Sequence, residues 1–185
     1  RKAIIANVKE VNSNNVLDNH DIIFLNVDEE KGFTFEKQMR IALRTTADRI
    51  ILPETRGGEF KQVYEANLKT KGNMFTAHAT DDEFFIDVCA DMYMENSPSD
   101  ISFIKNKIAK SIDMVLIMKK VDDNIRIKSI SEVLVDKDGK YSGLNNLFYW
   151  DFKRKKYVRT ENRVTENLRE RLFEEGVSEE LLKKI

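Results

Sequence analysis

An acidic residue and an arginine stand directly beyond a short apolar run in this 185-residue chain. The run at residues 49–52 predicts a strand that stops at Pro53, because proline lacks the amide hydrogen that a central strand needs. Glu54 and Arg56 follow it. A carboxylate at such a strand end can hold water on Mg²⁺ or polarise an attacking water, while an arginine offsets charge on a γ-phosphate. The spacing indicates this chemistry, and a solvated loop is the alternative.

A histidine stands where the next predicted strand, residues 74–77, ends. Because the carboxyl ends of neighbouring parallel strands lie close together, His78 is expected near Glu54. An imidazole at that position can donate to a phosphate oxygen. A structural histidine that only makes local hydrogen bonds is the alternative.

The order of the predicted elements indicates a parallel sheet covered by helices. The apolar run at residues 22–27 predicts a buried core strand, and Thr34 predicts the N-cap of an amphipathic helix that continues to Thr46. A second helix, which ends near Gly72, follows the turn at residues 57–58. The alternation of strands and helices predicts an α/β fold whose ligands bind at the carboxyl ends of the strands.

The rest of the chain predicts further helices, hairpins and an appendage. The expected elements are helices at residues 81–94 and 99–111, strands at 114–118, 125–135 and 147–152, turns at 122–124 and 136–139, and helices at 165–175 and from 178 onward. Residues 1–135 are expected to form the main domain, and residues 136–185 a C-terminal strand and helical appendage.

Composition bounds the class of protein. Hydrophobic residues make up 41% of the chain and charged residues 34%, which is typical of a globular domain. The net charge of -1 gives no overall field that draws the chain to nucleic acid. The single cysteine, Cys89, indicates a reducing, cytoplasmic setting. The start at Arg1, without an initiator methionine or a signal pattern, indicates a segment cut from a longer protein.

The stretch from residue 40 to residue 59 resembles a known family. Its motifs match those of the type II and type IV secretion ATPases, most closely the tight-adherence pilus and conjugative transfer branch, in Arg40, Arg44, Asp48-Arg49-Ile50-Ile51, Glu54 and Arg56-Gly57-Gly58-Glu59. The family's Thr-x-His-Ala histidine box is matched by Thr76, His78 and Ala79. The resemblance covers roughly residues 33–135.

The resemblance implies the C-terminal part of a RecA-like P-loop NTPase sheet with flanking helices, which lacks the phosphate-loop half and ends in a small appendage. It implies that Glu54 and His78 are catalytic and that Glu54 holds Mg²⁺ through water. It also implies that ATP is contacted by Arg40, Arg44, Arg56, Glu59 and Thr76. The intact parent would be a hexameric ring in the cytoplasm, peripheral to the inner face of the cell membrane. There it would work with secretion or pilus machinery without direct sequence-specific nucleic-acid binding.

The chain departs from the family in two places. It contains no G-x-x-x-x-G-K-[ST] loop, whose amides and lysine would cradle the phosphates, so the chain alone is expected to be an inactive part of an ATPase. Pro53 stands where the family usually has glycine, which changes the backbone freedom before Glu54.

Two other functions remain open on the sequence. One is a catalytically degenerate relic that keeps the sheet for a structural or regulatory role, with Glu54 and His78 making only local hydrogen bonds. The other is a nucleic-acid-binding module, for which residues 153–157 supply basic groups beside the aromatic residues 148–150. A solvated turn after a packed aromatic strand is the alternative for that patch.

Overall fold

The computed structural model describes residues 1–6 and 21–185. The chain forms two compact units. The first comprises Arg1–His78 and Asp87–Ser111, and the second comprises Ala79–Ile86 and Ile112–Ile185. This division does not coincide with the expected limits of 1–135 and 136–185, because the strands before and after residue 135 pair in one sheet.

The first unit is built on a parallel sheet, as the element order predicts. Its strands are β1 (Lys2–Ala6), β2 (Ile22–Asn26), β3 (Arg49–Leu52) and β4 (Met74–Phe75). They lie in the order β2-β1-β3-β4, and every pair is parallel. Strand β3 ends at Leu52, directly before Pro53, and Leu52 pairs with Phe75, the last residue of β4. The carboxyl ends of these two parallel strands therefore lie side by side at one edge of the sheet.

The centre of this sheet is β1, which lies outside the predicted elements. Its residues Ala3 to Ala6 are all buried between β2 and β3. The prediction of a buried strand at residues 22–27 is wrong in its burial: β2 is half-buried along its length. The reason is its place at the edge of the described sheet, where it pairs with one strand only.

The helices around the first sheet are α1 (Phe35–Ala42), α2 (Phe60–Asn67), α3 (Phe85–Glu95) and α4 (Ile101–Ala109). Thr34 caps α1 by accepting a hydrogen bond from the amide of Lys37, as predicted. The helix ends at Ala42, four residues before the predicted end at Thr46, and the amides of Arg44 and Thr45 then donate to the carbonyls of Ile41 and Ala42 in tighter turns.

Helix α3 begins four residues later than predicted. Two aspartates of residues 81–84 are held by the second unit's sheet instead of entering the helix. Asp81 forms an ion pair with Lys128, and Asp82 accepts a hydrogen bond of 3.1 Å from the hydroxyl of Ser131.

The second unit is an antiparallel sheet with two short helices. Its strands, in the order in which they pair, are β5 (Met114–Val121), β6 (Asn124–Val135), β7 (Tyr141–Asp151) and β8 (Lys156–Arg159). The predicted turn between β5 and β6 is confirmed. Asp122 and Asp123 have φ of 47° and 61°, the pair of positive values that a tight two-residue hairpin turn requires.

A buried carboxylate attaches the first C-terminal helix, α5 (Glu166–Glu174), to this sheet; α6 (Glu179–Leu182) follows it. Glu132 of β6 is 3% exposed and accepts hydrogen bonds from the amide and hydroxyl of Thr165 and from the side chain of Asn145. The hydroxyl of Thr165 also accepts from the amide of Leu168 and so caps α5. Within the described residues, no helix is long and apolar enough to cross a membrane.

Glu132→Ala is expected to lower the free energy of unfolding by about 2–4 kcal/mol, because it leaves half-buried hydrogen-bond donors of Thr165 and Asn145 without their charged acceptor. Urea unfolding followed by circular dichroism measures this loss. Glu170→Ala, an exposed change on α5, is the matched control and should leave the midpoint unchanged. Equal midpoints for the two variants would contradict the anchoring role of Glu132.

Cys89 on α3 is fully buried, and burial raises the pKa of its thiol. The thiol therefore stays neutral at pH values near 8.5, where an unperturbed cysteine is about half thiolate. We expect iodoacetamide to label the folded chain about a hundredfold more slowly than the urea-unfolded chain. A Cys89→Ala, Ser102→Cys variant, with its thiol at an exposed position of α4, should label rapidly when folded. Rapid labelling of native Cys89 would show that α3 does not pack as described.

Candidate functional site

The carboxyl ends of β3 and β4 bring together the residues that the sequence singled out. The ladder between the strands continues beyond them, since the amide of Thr76 donates to the carbonyl of Leu52 at 3.1 Å. The amide of Thr55 then donates to the carbonyl of Thr76 at 2.9 Å. The hydroxyl of Thr76 also donates to the carbonyl of Pro53. These bonds fix the backbone on both sides of Glu54.

Glu54 and Arg56 face each other as a two-point ion pair. The Nε of Arg56 pairs with Oε1 of Glu54, and its Nη2 donates to Oε2. Glu54 is 20% exposed at its side chain, whereas Arg56 is 70% exposed. The carboxylate therefore sits in the edge of the sheet, and the guanidinium covers it from the solvent side. A bidentate pair of this kind orients both groups.

His78 completes the cluster from the end of β4. Its Nε2 lies 3.8 Å from Oε1 of Glu54, which is beyond hydrogen-bond range and within reach of a small movement. Its side chain is 93% exposed. The imidazole is thus open to solvent beside the carboxylate, where it can donate to a group that approaches Glu54.

Glu59 acts on the loop rather than on the open edge. Its Oε1 accepts a hydrogen bond of 2.7 Å from the amide of Arg56, and this closes the turn that leads into α2. The carbonyl of Gly57 accepts from the amide of Phe60 at 2.9 Å in the same turn. Glu59 therefore positions Arg56 and the start of α2 in this structure.

The two remaining predicted arginines belong to a different element. Arg40 lies in the last turn of α1 and forms an exposed ion pair of 2.6 Å with Glu36, four residues earlier. Arg44 follows the end of α1 and is also exposed. Neither is placed on the edge formed by β3 and β4, so the cluster that the structure displays consists of Glu54, Arg56 and His78, with Thr76 in the backbone support.

The site fits a metal held largely by water and phosphate rather than by protein ligands. Within residues 1–6 and 21–185, no three histidine, cysteine, aspartate or glutamate side chains come together as a metal-ion site. Mg²⁺ commonly keeps several waters and takes one or two carboxylates together with phosphate oxygens. A single carboxylate at the sheet edge, as Glu54 supplies, is compatible with that ligand set.

Close packing around the Gly57-Gly58 turn was not foreseen from the sequence. A β-carbon on Gly58 would overlap the side-chain amide of Asn96, and one on Gly57 would lie 2.7 Å from a carboxylate oxygen of Glu95. The C-terminal end of α3 therefore presses on the loop that carries Arg56. The two glycines signal a close approach, but only the fold shows what approaches.

Thr55 is a second feature that the sequence did not single out. It lies between Glu54 and Arg56 and is 1% exposed. Its hydroxyl is buried without a hydrogen-bond partner. Because its side chain is buried, the flanking Glu54 side chain is directed away from the core, toward the sheet edge.

The comparisons with known proteins add to this geometry. No protein-family model matches the sequence, and no curated protein does. The chain shares its fold with parts of two solved ATPases. One is the VirB11 ATPase from the Brucella suis type IV secretion system in complex with sulphate, with a TM-score of 0.61 and 22% identity. The other is the Legionella pneumophila ATPase DotB, with a TM-score of 0.52 and 16% identity.

The likeness is partial on both sides. It covers 71% of this chain and 40% of the VirB11 chain, and 75% of this chain and 38% of the DotB chain. The chain therefore spans about two fifths of each ATPase that it matches. The prediction of an α/β fold, incomplete relative to these ATPases, is confirmed.

Gly58→Ala is expected to lower the free energy of unfolding by about 1–3 kcal/mol, because the added methyl group must displace the side chain of Asn96. Removing that side chain should relieve the overlap, so the double variant Gly58→Ala, Asn96→Ala should recover most of the loss. Asn96→Ala alone is the control, and urea unfolding of all four proteins completes the cycle. Strictly additive changes would show that the turn does not pack on Asn96.

Proposed function

We propose that this chain is the C-terminal part of a motor ATPase of the type II and type IV secretion family, and that Glu54, Arg56 and His78 form its half of the ATP site. The observation that carries the proposal is the clustering of these three side chains at the carboxyl edge of a parallel sheet. The fold shared with parts of two ATPases supports it. Ligands of such sheets bind at that edge.

Glu54 is the proposed base and water-holding carboxylate. Mg²⁺ and the phosphates of ATP, when bound, supply charge neutralisation and the phosphoryl group. Glu54 projects from a backbone held by the β3–β4 ladder, so its carboxylate is available in a fixed place to orient water beside the γ-phosphate or on the metal. His78 donates to a phosphate oxygen from the neighbouring strand end.

Arg56 is proposed to act as a latch on Glu54. In the structure its guanidinium contacts both carboxylate oxygens and so competes with water for their lone pairs. A γ-phosphate at the site offers the same guanidinium a second bidentate partner. Exchange of Arg56 from carboxylate to phosphate would free Glu54 when ATP is present and would offset the charge that builds on the phosphate.

The rest of the site belongs to the intact parent in this proposal. A phosphate loop upstream supplies the backbone cradle, and Arg40, Arg44, Glu59 and Thr76 take part as phosphate, interface or loop-positioning residues. The parent works as a hexameric ring in the cytoplasm, peripheral to the inner face of the membrane. Its partners are secretion, conjugation or pilus-assembly machinery, and it makes no sequence-specific contact with nucleic acid.

A catalytically degenerate relic is the second candidate. Pro53 stands directly before Glu54, and the structure pairs Glu54 with Arg56 through both oxygens. If that pair never opens, Glu54 and Arg56 serve only to tie the loop to the sheet edge. The two candidates differ in whether Glu54 is needed for turnover.

ATP hydrolysis by the parent, a chain extended upstream through a phosphate loop, tests the proposal. Glu54→Gln is expected to lower kcat by about a hundredfold to ten-thousandfold with ATP binding retained, because it removes the base and keeps the shape. His78→Ala is expected to lower kcat by about tenfold to a hundredfold. Glu65→Gln, at an exposed position of α2, is the matched control and should turn over ATP at the wild-type rate.

Two outcomes would overturn the motor proposal. A parent without any phosphate loop could not hold ATP in this way. A parent that hydrolyses ATP equally well with Glu54→Gln would leave the carboxylate without a catalytic role, and the relic would then be the better account.

A further inference from the structure

One end of the second unit's sheet collects positive charge from two separate parts of the chain. Successive strands of this sheet are antiparallel, so the β5–β6 turn and the β7–β8 turn lie at the same end. An ion pair of 3.4 Å between Lys155 and Asp122 joins the two turns. We call this end, residues 118–126 and 149–159, the basic tip.

The basic tip carries eight cationic side chains and three carboxylates, a net charge of +5 in a chain whose total is -1. The cations are Lys119, Lys120, Arg126, Lys153, Arg154, Lys155, Lys156 and Arg159. The charge balance of the whole chain therefore conceals a local excess. Such an excess on one end attracts a polyanion within about a Debye length, ~10 Å at 0.1 M salt.

The three carboxylates of the tip hold its two turns in place and offset only part of its positive charge. Asp151 accepts hydrogen bonds of 2.9 Å from the amides of Lys153 and Arg154, which fold the β7–β8 turn. Asp122 and Asp123 pair with Lys155 and Lys120. All four side chains of the Lys-Arg-Lys-Lys run stay exposed.

Apolar side chains are exposed among these cations. Ile125 is 76% exposed, Met118 63%, Tyr157 52% and Phe152 47%. Ile125 lies opposite Lys120 in the register, directly beside the β5–β6 turn. Exposed aliphatic and aromatic groups next to lysine and arginine are the combination found where proteins meet the headgroup region of a bilayer.

Three aromatic rings in the tip and its strands lie close to cations. The guanidinium of Arg126 lies 4.5 Å from the ring centre of Trp150, that of Arg159 lies 5.7 Å from Phe148, and the ammonium of Lys119 lies 5.8 Å from Phe152. Each of these rings thus has a cation over one face. Binding of single strands relies on free aromatic faces for the bases, whereas the two most exposed apolar side chains of the tip, Ile125 and Met118, are aliphatic, which favours lipid as the partner.

We propose that the basic tip docks on an anionic lipid bilayer, with the lysines and arginines at the headgroups and Ile125 and Phe152 at the edge of the acyl region. The proposal deepens the peripheral membrane location proposed above, and because it uses none of the residues at the β3–β4 edge, it can fail while the ATPase proposal stands. It assigns the second unit a role in holding the chain to a membrane surface. An oligonucleotide is the competing partner for the same charges.

Co-sedimentation of the 185-residue chain with vesicles tests the docking. The chain should bind vesicles that contain phosphatidylglycerol and should not bind pure phosphatidylcholine. The triple variant Lys153→Ala, Arg154→Ala, Lys156→Ala should bind about a hundredfold more weakly, from about fivefold for each basic residue near the surface. The variant Lys137→Ala, Lys140→Ala, Lys183→Ala makes the same change in net charge at exposed positions of the second unit outside the tip and should bind like wild type.

Two further measurements separate lipid from nucleic acid and from misfolding. Ile125→Ser with Phe152→Ser should weaken vesicle binding while it leaves binding to a thymidine oligonucleotide, if any, unchanged. Circular dichroism and urea midpoints identify any variant that has lost its fold. Equal vesicle binding by the folded tip variant and its control would overturn the proposal. Tighter binding to the oligonucleotide than to the vesicles, insensitive to Ile125 and Phe152, would also overturn it.

Discussion

The parallel pairing of β3 with its neighbours is the constraint on which the candidate site depends. β3 lies between β1 and β4, and hydrogen bonds continue past Pro53 and Phe75 to Thr55 and Thr76. Parallel strands run in one direction, so their carboxyl ends share an edge. That edge receives Glu54 from one strand and His78 from the next, although they are far apart in the sequence. Without the register of these strands the two side chains would have no fixed relation.

The loop beyond β3 shows how packing and chemistry are connected. The end of α3 lies so close to the Gly57-Gly58 turn that a side chain there must displace a neighbour. The carboxylate of Glu59 closes the same turn by accepting from the amide of Arg56. Arg56 is thereby held where it can cover Glu54. Arg56 therefore orients the carboxylate of Glu54 and offsets its charge. A highly charged anionic ligand at this site would compete with the carboxylate for the arginine.

The second unit separates structural from exposed charge. Glu132 is buried, and its oxygens are satisfied by Thr165 and Asn145, so this carboxylate attaches the C-terminal helices to the sheet. Seven of the eight cations of the basic tip are instead exposed, on or beside two turns. The charge of Glu132 stabilises a contact inside the unit, because its hydrogen-bond donors would otherwise lose their acceptor. The positive charges of the basic tip are solvated by water and therefore remain available to a polyanion.

Local sequence patterns predicted most of the helices and strands and the residue types of the site. Apolar runs, the cap at Thr34, the stop at Pro53 and the double aspartate of the β5–β6 turn specify conformation through backbone sterics and local hydrogen bonds, which need no distant partner. The packing of the elements settled that β1 lies inside the sheet, that β2 is an edge strand, and that the end of α3 packs on the loop of Arg56. It also decided that the two turns of the basic tip meet. These features depend on contacts between residues remote in sequence, and local patterns do not record which remote residues approach one another.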